Sequence, residues 1–218
     1  NLSRRFKNNI YLKREDLQEV FSFKIRGAYN KMQNLTKEQL SRGVITSSAG
    51  NHAQGVALSA LKLKTKATIL MPITTPIVKV NAVKELKAEV ILFGDNYDES
   101  YLEALNLSKK RNLSFIHPFN DPDVIAGQGT IGVELLSQLK DPPEAIYIAV
   151  GGGGLIAGVS IYIKNLWPKT KIIGIEPEDA DAMTRSLKEK KIIELDNVGL
   201  FADGVAVKKV GKLTFDIA

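Results

Sequence analysis

The feature that most restricts the fold of this chain is a regular alternation of short strand-like runs with longer helical patterns. The runs are rich in β-branched residues, and most are followed by apolar residues at helical spacing. This alternation predicts a parallel sheet covered by helices on both faces, with ligand sites beyond the carboxyl ends of the strands. The predicted strands are 10–13, 44–47, 67–71, 89–93, 114–116, 145–150 and 171–176, and the helices between them include 53–61, 77–86, 97–111, 124–139 and 155–166.

Composition narrows the class of protein. The 218 residues suffice for one large domain or two small ones, and 44% hydrophobic with 25% charged residues is typical of a globular chain. Cysteine is absent, which excludes disulfides, thiolate metal sites and cysteine nucleophiles and fits a reducing compartment. The two histidines, His52 and His117, lie far apart in the sequence, so they form no local metal-binding motif.

Charge and hydropathy argue against two kinds of partner. The net charge is +6, but the basic residues are scattered and no basic run is interleaved with aromatic residues. A solvated basic surface is therefore favoured over a nucleic-acid site. Residues 145–163 carry no charge, yet glycines lie in their middle, which favours a buried strand, a turn and a helix over a membrane span. We predict neither a nucleic-acid nor a membrane partner.

A run of four glycines, Gly151, Gly152, Gly153 and Gly154, follows a predicted strand and precedes a predicted helix. Such a run leaves backbone N–H groups uncovered at the positive end of a helix, which is a suitable cradle for a phosphate. The alternative is a tight turn with nothing bound. The spacing of a dinucleotide-binding fingerprint does not fit this run, so a single phosphate is favoured over a pyrophosphate.

Two further segments contain groups suited to binding and catalysis. Small residues at 47–55 let the backbone approach a ligand, and Ser48 and Asn51 at the start of the next helix either bind an anion such as a carboxylate or simply cap that helix. Lys24 lies beside an aromatic residue, Phe23, and a lysine amine in a dry pocket can form a Schiff base. Physical reasoning alone does not single out Lys24 among the many lysines.

Together, the order and spacing of these motifs resemble the fold-type-II family of pyridoxal-phosphate (PLP) enzymes, and within it the biosynthetic branch of the threonine dehydratases (threonine ammonia-lyases). The resemblance runs over nearly the whole chain. It is carried by the segments 11–16 (YLKRED), 22–28 (SFKIRGA), 48–55 (SAGNHAQG), 126–130 (AGQGT), 151–154 (GGGG) and 199–208 (GLFADGVAVK).

The resemblance implies an α/β architecture with two three-layer α/β/α lobes and the cofactor between them. The smaller lobe would comprise about 43–120, and the larger lobe 1–42 and 121–218. Because the chain starts at Asn1 and stops at Ala218, we expect an incomplete piece of a catalytic domain, cut at both ends and inactive by itself, with the C-terminal regulatory domain outside it. A cytoplasmic homo-oligomer is also implied.

The resemblance further assigns roles to particular residues. Lys24 would hold PLP through a Schiff base, Phe23 would stack beside the cofactor ring, and Asn51 would bond its 3-hydroxyl group. The N–H groups of the glycine run would bind the phosphate. The substrate carboxylate would bind the loop Ser48, Ala49, Gly50 and Asn51. The implied reaction converts L-threonine, with L-serine as an alternative substrate, into the 2-oxo acid and ammonia, as the first step of isoleucine biosynthesis.

Three departures from relatives refine this reading. Serine racemases have a serine directly before the Gly-Asn pair of the substrate loop, where this chain has Ala49, so we predict dehydration with little racemisation. Another PLP activity on the same fold, such as serine racemisation, β-elimination or β-replacement, is the alternative. Some relatives bind a divalent cation near Glu176, but the position of a second acidic ligand is Ala182, so we predict no metal and a structural role for Glu176. The serine that contacts the pyridine nitrogen in relatives would lie beyond residue 218.

Three other residues lie in segments that are near the cofactor in relatives. They are Gln128, Asp203 and Gly204. For these residues, a packing or turn role is as well supported by the sequence as a role in the site. An inert, non-catalytic chain is the remaining alternative for the molecule as a whole.

Overall fold

Two parallel sheets organise the computed structural model, which describes residues 2–199 and 201–218. The first sheet has four strands in the order β3-β2-β1-β4, and the second pairs β5 with β6. Parallel neighbours need a crossover connection, which the intervening helices provide. The strands are β1 (Val44–Ser47), β2 (Ala67–Met71), β3 (Glu89–Leu92), β4 (Ser114–Phe115), β5 (Ala145–Ala149) and β6 (Lys171–Ile175).

Ten α-helices surround these sheets in the described part of the chain. They are α1 (Leu2–Phe6), α2 (Lys24–Gln33), α3 (Lys37–Arg42), α4 (Asn51–Leu63), α5 (Ile77–Glu85), α6 (Tyr97–Lys110), α7 (Pro122–Gln138), α8 (Gly154–Leu166), α9 (Ala182–Glu189) and α10 (Lys212–Ile217). No helix within residues 2–199 and 201–218 is both long and apolar enough to cross a membrane.

The four-stranded sheet is buried on both faces. Because successive side chains of a strand point to opposite faces, Ile45 and Leu70 pack with Ala104 of α6 on one side. Val44 and Ile69 belong to the larger cluster on the other side, to which α4, α5 and α2 contribute. The central strands β1 and β2 are buried along their whole length. This sheet is therefore the rigid base from which the β1–α4 turn and the segment after β4 project.

Helices α2, α7 and α8 cross one another at backbone distance. A Cβ atom at Gly127 of α7 would lie only 2.5 Å from the carbonyl oxygen of Arg26 in α2. A Cβ atom at Gly158 of α8 would lie 2.2 Å from the carbonyl oxygen of Ile125 in α7. Glycine is required at both crossings because no side chain fits between the backbones. The stack of three helices connects the two sheets.

An ion-pair cluster fixes the N-terminal segment to this stack. The Arg26 guanidinium donates hydrogen bonds to Glu15 at 2.7 and 2.8 Å and to Glu134 of α7 at 2.6 and 2.8 Å. Lys13 also donates to Glu134. These charge-assisted bonds hold the pKa of Glu134 down to about 2, chiefly through the hydrogen bond from Arg26.

The structure confirms most of the predicted elements, with ends that move by one or two residues. A capping box begins α3, because Gln39 N–H donates to Thr36 Oγ1 and Gln39 Oε1 accepts from Thr36 N–H. The uncharged stretch 145–163 is strand β5, a glycine turn and most of α8, as predicted.

The predicted strand at 10–13 is wrong. These residues have no ladder partner within the described part of the chain, and a short 3₁₀ helix (Glu15–Leu17) follows them. Tyr11 and Leu12 are 71% and 65% exposed. A strand needs a neighbouring strand to satisfy its backbone groups, so a suitable side-chain pattern alone did not produce one here.

Candidate functional site

Lys24 is the first residue of α2, and its amine points toward the segment that follows β4. Lys24 Nζ donates a hydrogen bond to Pro118 O at 3.2 Å and lies 5.5 Å from the centroid of the Phe23 ring. Burial of the amine lowers the pKa of Lys24 to about 8. This shift brings the unprotonated amine, the form that a nucleophilic lysine requires, closer to neutral pH.

The segment after β4 is held in place by its own histidine. His117 Nδ1 accepts hydrogen bonds from Phe119 N–H at 3.2 Å and from Asn120 N–H at 2.9 Å. Asn120 Oδ1 in turn accepts from Leu213 N–H at 2.9 Å. Burial lowers the pKa of His117 to about 4, so the ring stays neutral and keeps its acceptor. These bonds fix the turn that carries the Pro118 carbonyl.

The glycine run forms the turn between β5 and α8 and packs directly on this segment. A Cβ atom at Gly152 would lie 2.3 Å from the Phe119 ring, and one at Gly154 would lie 3.0 Å from Phe119 Cβ. Gly153 has a φ of +91°, which strongly favours glycine. Thus two consecutive residues of this segment contact both parts of the site, since Pro118 O accepts from the Lys24 amine and Phe119 packs against the glycine turn.

In the glycine turn, a carbonyl group is hydrogen-bonded within the protein, whereas the N–H groups are not. Gly152 O accepts from Thr214 Oγ1 at 2.6 Å and from Gly211 N–H at 3.3 Å, so this carbonyl is occupied. Within the described part of the chain, no acceptor pairs with the N–H groups of Gly151, Gly152, Gly153 and Gly154. Unpaired N–H groups at the start of a 13-residue helix fit a phosphate.

The β1–α4 turn also leaves N–H groups free. Ser48 Oγ accepts from Gly50 N–H at 3.2 Å, and no side chain caps α4. The interpretation of Ser48 or Asn51 as a helix cap is therefore wrong. The side chain of Asn51 is exposed, and a Cβ atom at Gly50 would meet nothing within 4 Å. Ala49 is half-buried in the same turn. The turn is open at the positive end of α4, as an anion site requires.

Sequence reasoning missed His52 and His117 as neighbours of Lys24. His52 is buried, its Nε2 lies 3.0 Å from Ile116 O, and burial and then the Lys24 charge lower its pKa to about 3. The same Lys24 charge acts on His117. Two signals could have found them: His52 directly follows the predicted binding loop, and His117 follows a strand end.

Gln128, whose role the sequence left open, and Glu176, for which it predicted a structural role, both have structural roles. Gln128 is buried, and its Oε1 accepts from Gly27 N–H at 3.2 Å, so it joins α7 to α2. Glu176, at the end of β6, accepts from Met183 N–H at 2.9 Å and from Thr184 N–H at 2.8 Å. Its carboxylate therefore caps the N-terminal turn of α9, which confirms the predicted structural role.

Asp203 joins two parts of the molecule that are remote in sequence. Its carboxylate accepts from Lys79 of α5 at 2.6 Å. Val205 lies in the same short 3₁₀ turn and packs against the glycine run. A Cβ atom added at Gly151 would lie 3.0 Å from Val205 Cα. Gly204 has open space beside it. Asp203 thus connects α5 to a turn that packs on the glycine run.

A partly buried lysine amine, a turn of unpaired glycine N–H groups and an open turn at a helix N-terminus are groups that an enzyme of the PLP type uses. Residues 1–218 match the family of pyridoxal-phosphate dependent enzymes. Because the match covers the whole chain, the chain belongs to this family.

Particular relatives agree with that class. The chain is 58% identical over 217 residues to the biosynthetic, chloroplastic threonine dehydratase of Arabidopsis thaliana, an alignment that covers 100% of this chain and 37% of that protein. The processed form of threonine deaminase isoform 2 from Solanum lycopersicum has a TM-score of 0.96 at 57% identity, covering 98% of this chain and 59% of that one. Maize serine racemase has a TM-score of 0.89 at 36% identity, covering 93% and 61%.

These similarities confirm the predicted fold class, the fold-type-II α/β architecture. The chain spans less than two fifths of the length of the Arabidopsis relative.

Proposed function

We propose that the protein containing this chain converts L-threonine, and L-serine as a second substrate, into the 2-oxo acid and ammonia with the help of PLP. The products from L-threonine are 2-oxobutanoate and ammonia, and the step would begin isoleucine biosynthesis. The observation that carries the proposal is the Lys24 amine bonded to Pro118 O, next to Phe119, which packs against a turn of unpaired glycine N–H groups. The 58% identity to a biosynthetic threonine dehydratase supports the choice of reaction.

The residues around Lys24 fit the cofactor. Lys24 would hold PLP covalently through its amine, with the Phe23 ring beside it and Asn51 as the partner of the 3-hydroxyl group. The N–H groups of Gly151 to Gly154 would bind the phosphate, since they are the unpaired donors of the turn. PLP, when bound, supplies an electron sink for the α-carbon of an amino acid.

The β1–α4 turn would bind the substrate. The substrate carboxylate would accept hydrogen bonds from the free N–H groups of residues 51 and 52 and from Ser48 Oγ. At this end of α4 the helix dipole favours a negative charge. Ala49 contributes only a methyl group and Gly50 has no side chain, so the substrate can approach the backbone. This arrangement would orient the α-carbon toward the side of the pocket on which Lys24 lies.

Lys24 would then move protons. Once the substrate amino group had taken the place of Lys24 on the cofactor, the released Nζ would accept the α-proton, since a pKa of about 8 for the free amine leaves part of it unprotonated near neutral pH. The same ammonium could deliver a proton as the β-hydroxyl group departs. Pro118 O keeps Nζ in one place through the hydrogen bond at 3.2 Å.

Ala49 supports dehydration over racemisation. Racemisation needs a second acid–base group on the face opposite the lysine, and the methyl group of Ala49 cannot carry a proton. Elimination needs the lysine face and a route for the hydroxyl group, so it does not depend on that second group.

The test is to measure 2-oxo acid and D-amino acid formation by the complete enzyme with L-threonine and L-serine, and to repeat it with Lys24→Ala. We expect oxo acid as the main product, D-serine at a small fraction of the pyruvate rate, and a loss of several orders of magnitude in turnover in the variant. Full activity of Lys24→Ala, or D-serine at a rate that rivals pyruvate, would contradict the proposal.

The lobe boundaries at about 43–120, the homo-oligomeric assembly and the cytoplasmic location stay predictions. The first is supported by the confinement of the four-stranded sheet to residues 44–115.

A further inference from the structure

His52 is linked by a short chain of bonds to the Lys24 amine. Its Nε2 lies 3.0 Å from Ile116 O, and the same carbonyl accepts from Thr46 Oγ1 at 2.8 Å. Two residues further on, Pro118 O accepts from Lys24 Nζ at 3.2 Å. Pro118 O, which accepts from the Lys24 amine, is therefore two residues along the chain from Ile116 O, which bonds to His52.

Helix α4 also places His52 on the side of Lys24. A Cβ atom at Gly55 would lie 3.0 Å from the carbonyl carbon of Lys24, so this face of α4 packs on the backbone of Lys24. Residues three apart in a helix share a face, which puts His52 above Gly55 on the same side. The effect of the Lys24 charge on the pKa of His52 agrees with this placement.

The hydrogen bond to Ile116 O also decides the tautomer of His52. A carbonyl oxygen only accepts, so Nε2 carries the proton and Nδ1 is bare. Nδ1 is buried and has no partner within residues 2–199 and 201–218. The titratable groups that face the Lys24 amine are His52 from α4 and His117 from the segment after β4, and Asp121 acts on His117. Both rings are neutral, so neither histidine supplies a charge to the surroundings of the Lys24 amine.

We propose that His52 is a positioning residue for Lys24: its neutral ring fixes the Ile116–Pro118 backbone and thereby keeps the Lys24 amine anchored in dry surroundings. The importance of this role for catalysis rests on the proposed function, because the proposed reaction needs an anchored, partly unprotonated lysine amine. Without the Nε2 bond, the segment would loosen, water would reach Nζ, and solvation would favour its charged form.

The experiment measures the pKa of the Lys24 amine directly. The complete enzyme is stripped of PLP with hydroxylamine, acetylated with trace acetic anhydride between pH 6 and 11, and the Lys24 peptide is quantified by mass spectrometry. His52→Leu removes the hydrogen bond, whereas the amide of His52→Gln can still donate to Ile116 O. His52→Asn, too short to reach, serves in place of His52→Leu if the latter does not fold. Ser100→Ala is the matched control, because Ser100 is buried and hydrogen-bonded on the remote helix α6.

We expect His52→Leu or His52→Asn to raise the apparent pKa of Lys24 by about one unit or more, which slows its acetylation at pH 8 about fivefold relative to the native protein. His52→Gln and Ser100→Ala should leave it near the native value. An unchanged pKa in the first pair would overturn the inference. So would an equal shift in His52→Gln or in Ser100→Ala, since the cause would then be general loosening.

This test does not depend on the reaction. If Lys24 did not bind PLP, Lys24→Ala would still bind it normally, while the labelling of the PLP-free protein would report on His52 as before. The two proposals therefore fail separately.

Discussion

Replacing Arg26 by methionine tests the ion-pair cluster that fixes the N-terminal segment to α7. The substitution removes four charge-assisted hydrogen bonds and leaves Glu15 and Glu134 without their shared cation. Loss of one partner from a buried pair costs about 3–5 kcal/mol. The Glu134 side chain is 39% exposed and Lys13 remains beside it, so we discount the cost to about 2–3 kcal/mol.

The assay is urea unfolding followed by circular dichroism, in which this cost would lower the midpoint by about 1 M. The matched control is Arg14→Met, because Arg14 pairs with Asp16 on the surface at 2.7 Å, with both side chains more than half exposed. The control should change the free energy of unfolding by less than about 0.5 kcal/mol.

The pH dependence of the free energy of unfolding is a second test of the role of Arg26. The pKa of Glu134 is depressed in the folded state, so its stabilisation is present above the ordinary glutamate pKa and is lost as pH falls toward about 2. In Arg26→Met that pKa returns toward normal, so the difference between native and variant proteins should narrow from pH 7 to pH 4. A cost no larger than that of Arg14→Met, or a difference that does not narrow, would refute the reasoning.

Two further predictions concern the site. Gly152→Val should weaken PLP binding at least about tenfold in a fluorescence titration and lower the free energy of unfolding by about 1–3 kcal/mol. The reason is that the Cβ of the valine would lie 2.3 Å from the Phe119 ring. An unchanged titration would show that the glycines form a turn without a role in PLP binding. In the folded protein His52 and His117 have pKa values of about 3 and 4, well below the ordinary histidine value of about 6.5. Below about pH 6.5 the unfolded chain therefore binds protons that the folded protein does not, and the free energy of unfolding decreases as the pH falls toward 4. Urea titrations at pH 7, 6 and 5 should show this slope, reduced in His117→Gln; an equal slope in that variant would show that the ring is protonated when folded.

The sequence predicted those parts of the molecule that depend on local patterns. Strands, helices and the glycine turn follow from periodicity and from residue types within a few positions of one another. The strand predicted at 10–13 was wrong because pairing is a long-range property that a pattern cannot guarantee. The partner of the Lys24 amine could not be predicted for a different reason. It is the backbone carbonyl of Pro118, 94 residues away, and a carbonyl has no signature in the sequence.

The histidines illustrate the same limit. His52 and His117 are 65 positions apart in the numbering, and neither has a motif that would pair it with Lys24. They become neighbours of the amine only because β1 and β4 lie side by side in the sheet, which brings the α4 turn and the segment after β4 together. Adjacency of strand ends, once the order β3-β2-β1-β4 is known, explains the part of the site that residue patterns missed.

The glycine crossings of α2, α7 and α8 limit how the molecule can move. Where backbones touch without side chains between them, as at Gly127 and Gly158, one helix cannot slide along another without a steric collision. Shear between the two sheets is therefore blocked along this stack. Lys24 is the first residue of α2, so the crossing at Gly127 also fixes the distance between the backbone that carries the reactive amine and helix α7.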